Sequence, residues 1–315
     1  MMEFGSVCEA CFVAQPESSD QDVMRITSIR ANNGCGPRSL DRCSERARPE
    51  RSTIGVSPED GLKNAASTSC RHSISAQMIS FIVPAYNEEL ELSSTLAAIC
   101  ASASGAAQPH EIIVVDDAST DATAKVATAA GARVISINRR QIAAARNAGA
   151  RAARGAYLFF VDADTRINQT HIAEGIAALK AGYAGGSARV VMDGLMPLWG
   201  RIFVRVFCTL YFGLNLGAGA FLFTTRRNFD AVGGFDEQYF VGEEVYFSLA
   251  LRKLGRFKVL REPILTSGRK LRMYSMRRVF VRLFSIVVGG PTAARSRDKL
   301  DVWYDGKREN RTAET

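Results

Sequence analysis

Two aspartates one residue apart, Asp162 and Asp164, end an apolar run in FFVDADT (159–165). Carboxylates this close repel one another unless something positive sits between them. A divalent cation suits such a pair, because Mg2+ takes one or two carboxylates and fills the rest of its shell with phosphate oxygens and water. Two more apolar runs end in polar groups. Tyr86 to Glu88 follow the first, in IVPAYNEE (82–89), and Asp116 and Asp117 follow the second, in VVDDASTDAT (114–123). A further acidic pair, Glu243–Glu244, stands in GEEVYFSLALRKLG (242–255), where acids also suit the positive end of a helix. Acids that converge on one crevice would hold Mg2+ or Mn2+ together with a diphosphate.

Convergence requires elements that bring these points together. From residue 79 the chain alternates short β-branched runs with helical stretches. Strands are expected at 79–86, 111–117, 132–137 and 156–164. A helix is expected to open at Asn87, Glu88 and Glu89 and to continue through Leu92, Leu96 and Ile99. A second takes Ser119 as N-cap, has Asp121 in its first turn and closes at Gly131. A third, Ala-rich helix over 141–155 ends at Gly155. This β-α-β rhythm predicts an α/β fold with a mostly parallel sheet flanked by helices, and such sheets bind ligands beyond the carboxyl ends of their strands.

The 315 residues are 47% hydrophobic, enough for a sizeable core, and carry a net charge of +8. That balance suits phosphate-bearing ligands, nucleic acid or an anionic membrane surface and selects none of them. No motif supports nucleic-acid binding, which is not expected. Residues 1–77 mix Ser, Arg, Glu, Asn, Gly and Pro without periodicity and hold five of the seven cysteines. They read as a disordered extension, or as the product of a misassigned start with the working protein beginning at Met78. Cys8 and Cys11 form a lone C-x-x-C with no second pair, which does not define a metal or redox site.

Taken together and in order, IVPAYNEE, VVDDASTDAT, AAARNAGARAARG (143–155), VDAD (161–164), GAGAFLFTTRRNFDAVGGFDE (217–237) and GEEVYFSLALRKLG resemble glycosyltransferase family 2, over roughly 79–262. The resemblance implies a GT-A type fold and transfer of a sugar from a nucleotide-sugar donor. It implies that Pro84, Ala85 and Tyr86 line the nucleobase pocket with Glu88 beside it, and that Asp116 and Asp117 bind the base or ribose. Arg146 would approach the diphosphate, Asp162 the ribose or metal, and Asp164 the metal. Glu243 and Glu244 match an acidic pair whose second member is the general base of an inverting transfer to a hydroxyl acceptor, lipid-linked, part of an envelope glycan or a small molecule.

Three departures stand out. Glu244 replaces the commoner Asp. All three histidines lie upstream of the acidic pair, so the downstream histidine that completes the metal shell in some relatives is missing. TSGRK (266–270) occupies that region, and Arg269 or Lys270 is a candidate to neutralise the leaving diphosphate. The processive-synthase pattern QxxRW is also missing, which points to single transfers. Rival readings are a nucleotidyltransferase, which would place a Gly-rich basic loop where PAYNEE stands, a catalytically weak scaffold on the same fold, and a dinucleotide oxidoreductase, for which GAGA (217–220) is too short.

Residues 195–223 are long and apolar, yet Arg201 and Arg205 interrupt one end and Gly213, Gly217 and Gly219 the other. The expectation is a strand at 218–224 preceded by an amphipathic helix at 196–214. The stretch 269–290 mixes basic and apolar residues in the same way. Both suit a cytoplasmic protein held peripherally on the inner face of an anionic membrane. The alternative is packing on the domain's own core or in a homodimer. The organisation expected is 1–77, a transferase domain over 78–265, and a basic C-terminal segment over 266–315.

Overall fold

The computed structural model describes residues 75–194, 198–214, 216–275, 277–279, 281, 290 and 292–295. The expectations for residues 1–74, and most of those for 276–315, lie outside these residues. So does any statement on the Cys8–Cys11 pair.

Strand β1 (Ser75–Ala85) leads to helix α1 (Leu92–Gly105), β2 (His110–Asp117), α2 (Thr123–Ala129), β3 (Arg133–Ile137), α3 (Ile142–Ala152) and β4 (Gly155–Val161). These form the parallel half of the sheet, ordered β3-β2-β1-β4. The chain continues through β5 (Thr165–Arg166), α4 (Gln169–Lys180), β6 (Gly185–Met192), α5 (Leu198–Gly213), β7 (Phe221–Thr225), α6 (Arg226–Val232), α7 (Glu243–Leu254), β8 (Phe257–Thr266) and α8 (Arg269–Met273). Antiparallel β7 joins β4 to β6, and β6 pairs in parallel with β8. The expected α/β sheet flanked by helices is present, with its parallel character concentrated in the first four strands.

Side-chain alternation explains why both faces are covered. Ile79, Phe81 and Val83 of β1, with Phe159 and Val161 of β4 and Phe221 and Phe223 of β7, point to the core shared with α1 and α4. Their neighbours Ile82, Leu158, Phe160 and Leu222 point to a second core with α3, α6 and α7. A strand buried on both faces reads as a continuous apolar run rather than an alternating one, as "ISFIV" does.

Several boundaries differ from expectation. The first helix opens at Leu92, not Asn87, because residues 87–89 are used to tie two loops together. The Asn87 amide donates to Ser119 Oγ (2.9 Å), the Glu88 amide to Thr123 Oγ1 (2.8 Å), and Glu89 Oε2 accepts from the Ala122 amide (2.8 Å). Ser119 is therefore not the N-cap of α2; Asp121 Oδ1 instead accepts from the Thr123 amide at 2.9 Å. Gly155 does not end α3. It starts β4, where its amide donates to Ser80 Oγ (2.8 Å) and a Cβ would lie 2.6 Å from the Met78 carbonyl oxygen. β1 begins at Ser75, which pairs with Gly155, so the boundary placed between 77 and 78 falls inside a strand.

Candidate active site

The carboxyl ends of β1, β2 and β4 meet in a cleft of about 310 Å3. Pro84, Ala85, Tyr86, Glu88, Asp117, Arg146, Asp162, Asp164, Glu243 and Glu244 all line it. Asp116 does not. It is buried beside the cleft, and its Oδ1 accepts from the Ser119 amide at 3.1 Å. Asp117 lines the cleft with both oxygens engaged: Oδ1 accepts from the amides of Arg139 and Arg140, Oδ2 from that of Gln141, all at 2.7 Å. This carboxylate fixes the loop between β3 and α3. Within that loop Arg140 has φ 50°, and its guanidinium lies 3.3 Å from the centre of the Tyr86 ring. Arg140 and Gln141 were missed in the sequence. The signal was available, since both follow the third strand end.

Arg146 organises the floor. It projects from α3, is 1% exposed, and donates to Glu243 Oε1 (2.6 Å), Asp162 Oδ1 (2.9 Å) and the Gly219 carbonyl (2.8 Å). Gly219 permits this approach, because a Cβ there would lie 3.3 Å from Arg146 Nη2 and 3.6 Å from Glu244 Cγ. The small residues of GAGA therefore serve close packing at the cleft floor.

The two members of the acidic pair are not equivalent. Glu243 is buried and held by Arg146. Glu244 follows it at the start of α7, half-buried against Gly219. Burial first, then the Glu243 charge, push the Glu244 carboxyl up to about 8, against the opposing pull of Arg146. Burial and the neighbouring Asp164 also raise Asp162, to about 6, in spite of Arg146.

Asp162 and Asp164 stand just past β4, 26% and 18% exposed. Asp164 Oδ1 is 3.4 Å from the Thr266 hydroxyl, and its Oδ2 is 3.3 Å from Arg269 Nη2. Arg269, at the start of α8, also makes a two-pronged pair with Glu88, with Nη1 2.6 Å from Oε2. Of the two cations named for TSGRK, Arg269 lines the cleft. The Lys270 side chain lies outside the described residues.

These residues fit a divalent cation in a limited way. Among the described residues, no three acidic, histidine or cysteine side chains form a cluster for a protein-only cage. Two carboxylates facing a cleft large enough for a diphosphate do match the Mg2+ habit of taking most of its shell from phosphate and water.

Residues 80–231 match the family described as Glycosyl transferase family 2. None of the curated proteins compared with the chain matches it in sequence. Among solved structures, the mannosyltransferase PcManGT from Pyrobaculum calidifontis, in complex with GDP-Man and Mn2+, is 18% identical with a TM-score of 0.51. The match covers 74% of this chain and 69% of that one. Mannosyl-3-phosphoglycerate synthase from Rubrobacter xylanophilus is 19% identical with a TM-score of 0.50, over 68% and 73% of the two chains. TarS 1-349 from S. aureus, in complex with UDP-GlcNAc, is 19% identical with a TM-score of 0.48, over 73% and 71%. At such identities the first two structures speak for a common fold.

Proposed function

The chain belongs to glycosyl transferase family 2 and is a glycosyltransferase of GT-A fold, and from that premise we propose that it moves one sugar at a time from a nucleotide-sugar donor to a hydroxyl acceptor, with inversion and with Mg2+ or Mn2+ at the diphosphate. The observation that carries this reading is one cleft shared by an aspartate pair just past β4 and a half-buried glutamate at the start of α7.

In this reading the nucleobase enters beside Pro84 and Ala85 and takes the Tyr86 face that Arg140 now covers. Glu88 and Asp117 border that pocket, and Asp116 supports the loop behind it. Asp162 and Asp164 hold the cation, which when bound supplies positive charge to the departing diphosphate. Arg146 keeps Asp162 in place and adds fixed positive charge beneath it. Glu244 accepts the acceptor's hydroxyl proton, and its raised affinity for protons suits a base that works near neutral pH. Glu243, fixed by Arg146, orients α7.

The acceptor side supports a membrane setting. Leu198, Ile202 and Val206 repeat at helical spacing on α5 and are all more than half exposed, with exposed Arg201 and Arg205 among them. No helix among the described residues is long and apolar enough to cross a bilayer. We therefore read α5 as a peripheral contact with an anionic inner membrane face, and the acceptor as a lipid-linked or envelope glycan. The transferase domain in this reading runs to about residue 265.

A donor screen tests the proposal. Full-length protein is incubated with a panel of nucleotide sugars and Mg2+ or Mn2+, and released nucleotide is measured. Turnover of at least one donor, lost when the cation is chelated, is expected. Release unaffected by chelation would remove the cation from the proposal, and no binding or turnover of any nucleotide sugar would overturn it.

A further inference from the structure

We propose that Arg269 is a latch that makes cation binding conditional on a diphosphate: it acts as the counter-ion of Asp164 in the donor-free chain and transfers to the diphosphate when the cation takes its place. This deepens the proposed donor reading and rests on it. Four observations point the same way. Arg269 is 11% exposed and lines the cleft rather than the outer surface. Its Nη2 lies 3.3 Å from Oδ2 of Asp164, one of the two carboxylates that would hold the cation. Its other side-chain partner is Glu88, in the two-pronged pair, on the loop after β1 and also lining the cleft. Asp162 is already matched by Arg146. Each aspartate of the pair thus has its own guanidinium, and repulsion between them is relieved without a metal ion.

The two guanidinium groups differ in their freedom to leave. Arg146 is tied to three partners in the interior. Arg269, 11% exposed against 1% for Arg146, is held by Glu88 and Asp164. It sits at the first residue of a five-residue helix that begins after Ser267 and Gly268, past the β8 end. A cation arriving alone must displace a positive charge from Asp164 and leave it with less compensation. A cation arriving with a diphosphate brings new acceptor oxygens, and the planar fork of a guanidinium matches phosphate oxygens as well as it matches Glu88. Exchange is then balanced: Asp164 passes from arginine to metal, and arginine passes from Asp164 to phosphate. A nucleoside monophosphate offers fewer oxygens at that position, so Arg269 also favours diphosphates over monophosphates.

The test compares the full chain with Arg269→Gln, and with the double variant Glu88→Gln/Arg269→Gln, which avoids leaving Glu88 buried without its arginine. Mn2+ binding to each protein without nucleotide is read by the loss of the free Mn2+ paramagnetic signal. Binding of UDP, GDP, UMP and GMP, each with Mg2+, is read by calorimetry. Removing a competing charge at this distance should tighten Mn2+ binding by about tenfold. The same change should weaken the bound nucleoside diphosphate by about tenfold or more, since a charged hydrogen-bonding partner is lost, and leave the monophosphate nearly unchanged. Unchanged or weaker Mn2+ binding in both variants would overturn the latch, and so would equal losses for diphosphate and monophosphate. If the parent binds none of these nucleotides, the donor reading fails, while the Mn2+ comparison still decides whether Arg269 blocks the cation.

Discussion

At the scale of single residues, the Glu243–Glu244 pair gives the sharpest expectation. Glu244→Gln keeps size and packing but cannot take a proton near neutral pH. Transfer under saturating donor should fall by roughly 10²–10⁴, the usual contribution of a positioned general base, while nucleotide binding persists. Glu243→Gln should show the opposite balance. Its carboxylate anchors Arg146 at 2.6 Å, so the loss should register first in thermal stability and donor affinity. A larger catalytic loss in Glu243→Gln than in Glu244→Gln, with binding intact, would reverse the assignment. Asp164→Asn removes a charged oxygen at constant volume and should weaken cation-dependent donor binding, measured by calorimetry with Mn2+, without lowering the melting temperature. What the sequence hid at this scale is pairing over distance. Arg269 and Glu88 are 181 positions apart, and nothing in TSGRK marks Arg269 as turning toward Glu88. Asp117 was legible as a polar strand end. That it is spent on three amides of the following loop depends on how 139–141 folds back, which no local pattern encodes.

At the scale of elements, strands were easier to read than helix ends. β1, β2, β3 and β4 stand close to their expected places, because a strand buried on both faces leaves an uninterrupted apolar run. Helix starts were displaced wherever side chains with capping chemistry were used across loops instead, as Asn87, Glu89 and Ser119 are. The Ala-rich sequence of α3 reads as high helix propensity, but its main physical consequence is proximity. A Cβ at Gly149 would lie 2.4 Å from Ile82 Cγ2 and 3.0 Å from Val115 Cγ2, so the helix rests almost directly on the sheet and carries Arg146 to the cleft floor. Gly149→Ala should therefore destabilise the chain by about 1–3 kcal/mol, the range for overpacking, even though alanine is the better helix former. Urea unfolding measures this, and equal or greater stability in the variant would refute the close-packing account. On the outer side, Gln at Arg201 and Arg205 should reduce sedimentation with anionic liposomes, since each basic side chain near such a surface is worth about 1 kcal/mol. Equal sedimentation with neutral and anionic vesicles would rule out the electrostatic contact.

At the scale of the whole molecule, the cleft sets a conflict between stability and activity, and pH exposes it. Glu244 faces Glu243, Arg146 and Asp162, with the Tyr211 hydroxyl also within electrostatic reach. Burial and the Glu243 charge outweigh Arg146 and raise its carboxyl to about 8. In the unfolded chain the same group titrates in the ordinary range near 4. Between these values the folded state holds a proton that the unfolded state has released, so stability falls as pH rises and is greatest on the acid side of the window. The slope from one such group is at most about 1.4 kcal/mol per pH unit. Asp162, raised only to about 6, adds a contribution of the same sign at lower pH. His171, which burial lowers from its ordinary 6.5, adds one of the opposite sign that fades above that value, so the slope between pH 7 and 8 is the one that reads Glu244. Activity should run the other way, since a base accepts a proton only once it has lost its own, and transfer should rise through the same interval. The measurement is urea unfolding of the donor-free protein at pH 6, 7 and 8, set beside initial transfer rates at the same values. The parent should lose stability and gain rate with rising pH, and Glu244→Gln should lose the stability slope together with the rate increase. A Glu244→Gln variant whose stability still falls between pH 7 and 8 as the parent's does would show that the proton resides elsewhere in the fold.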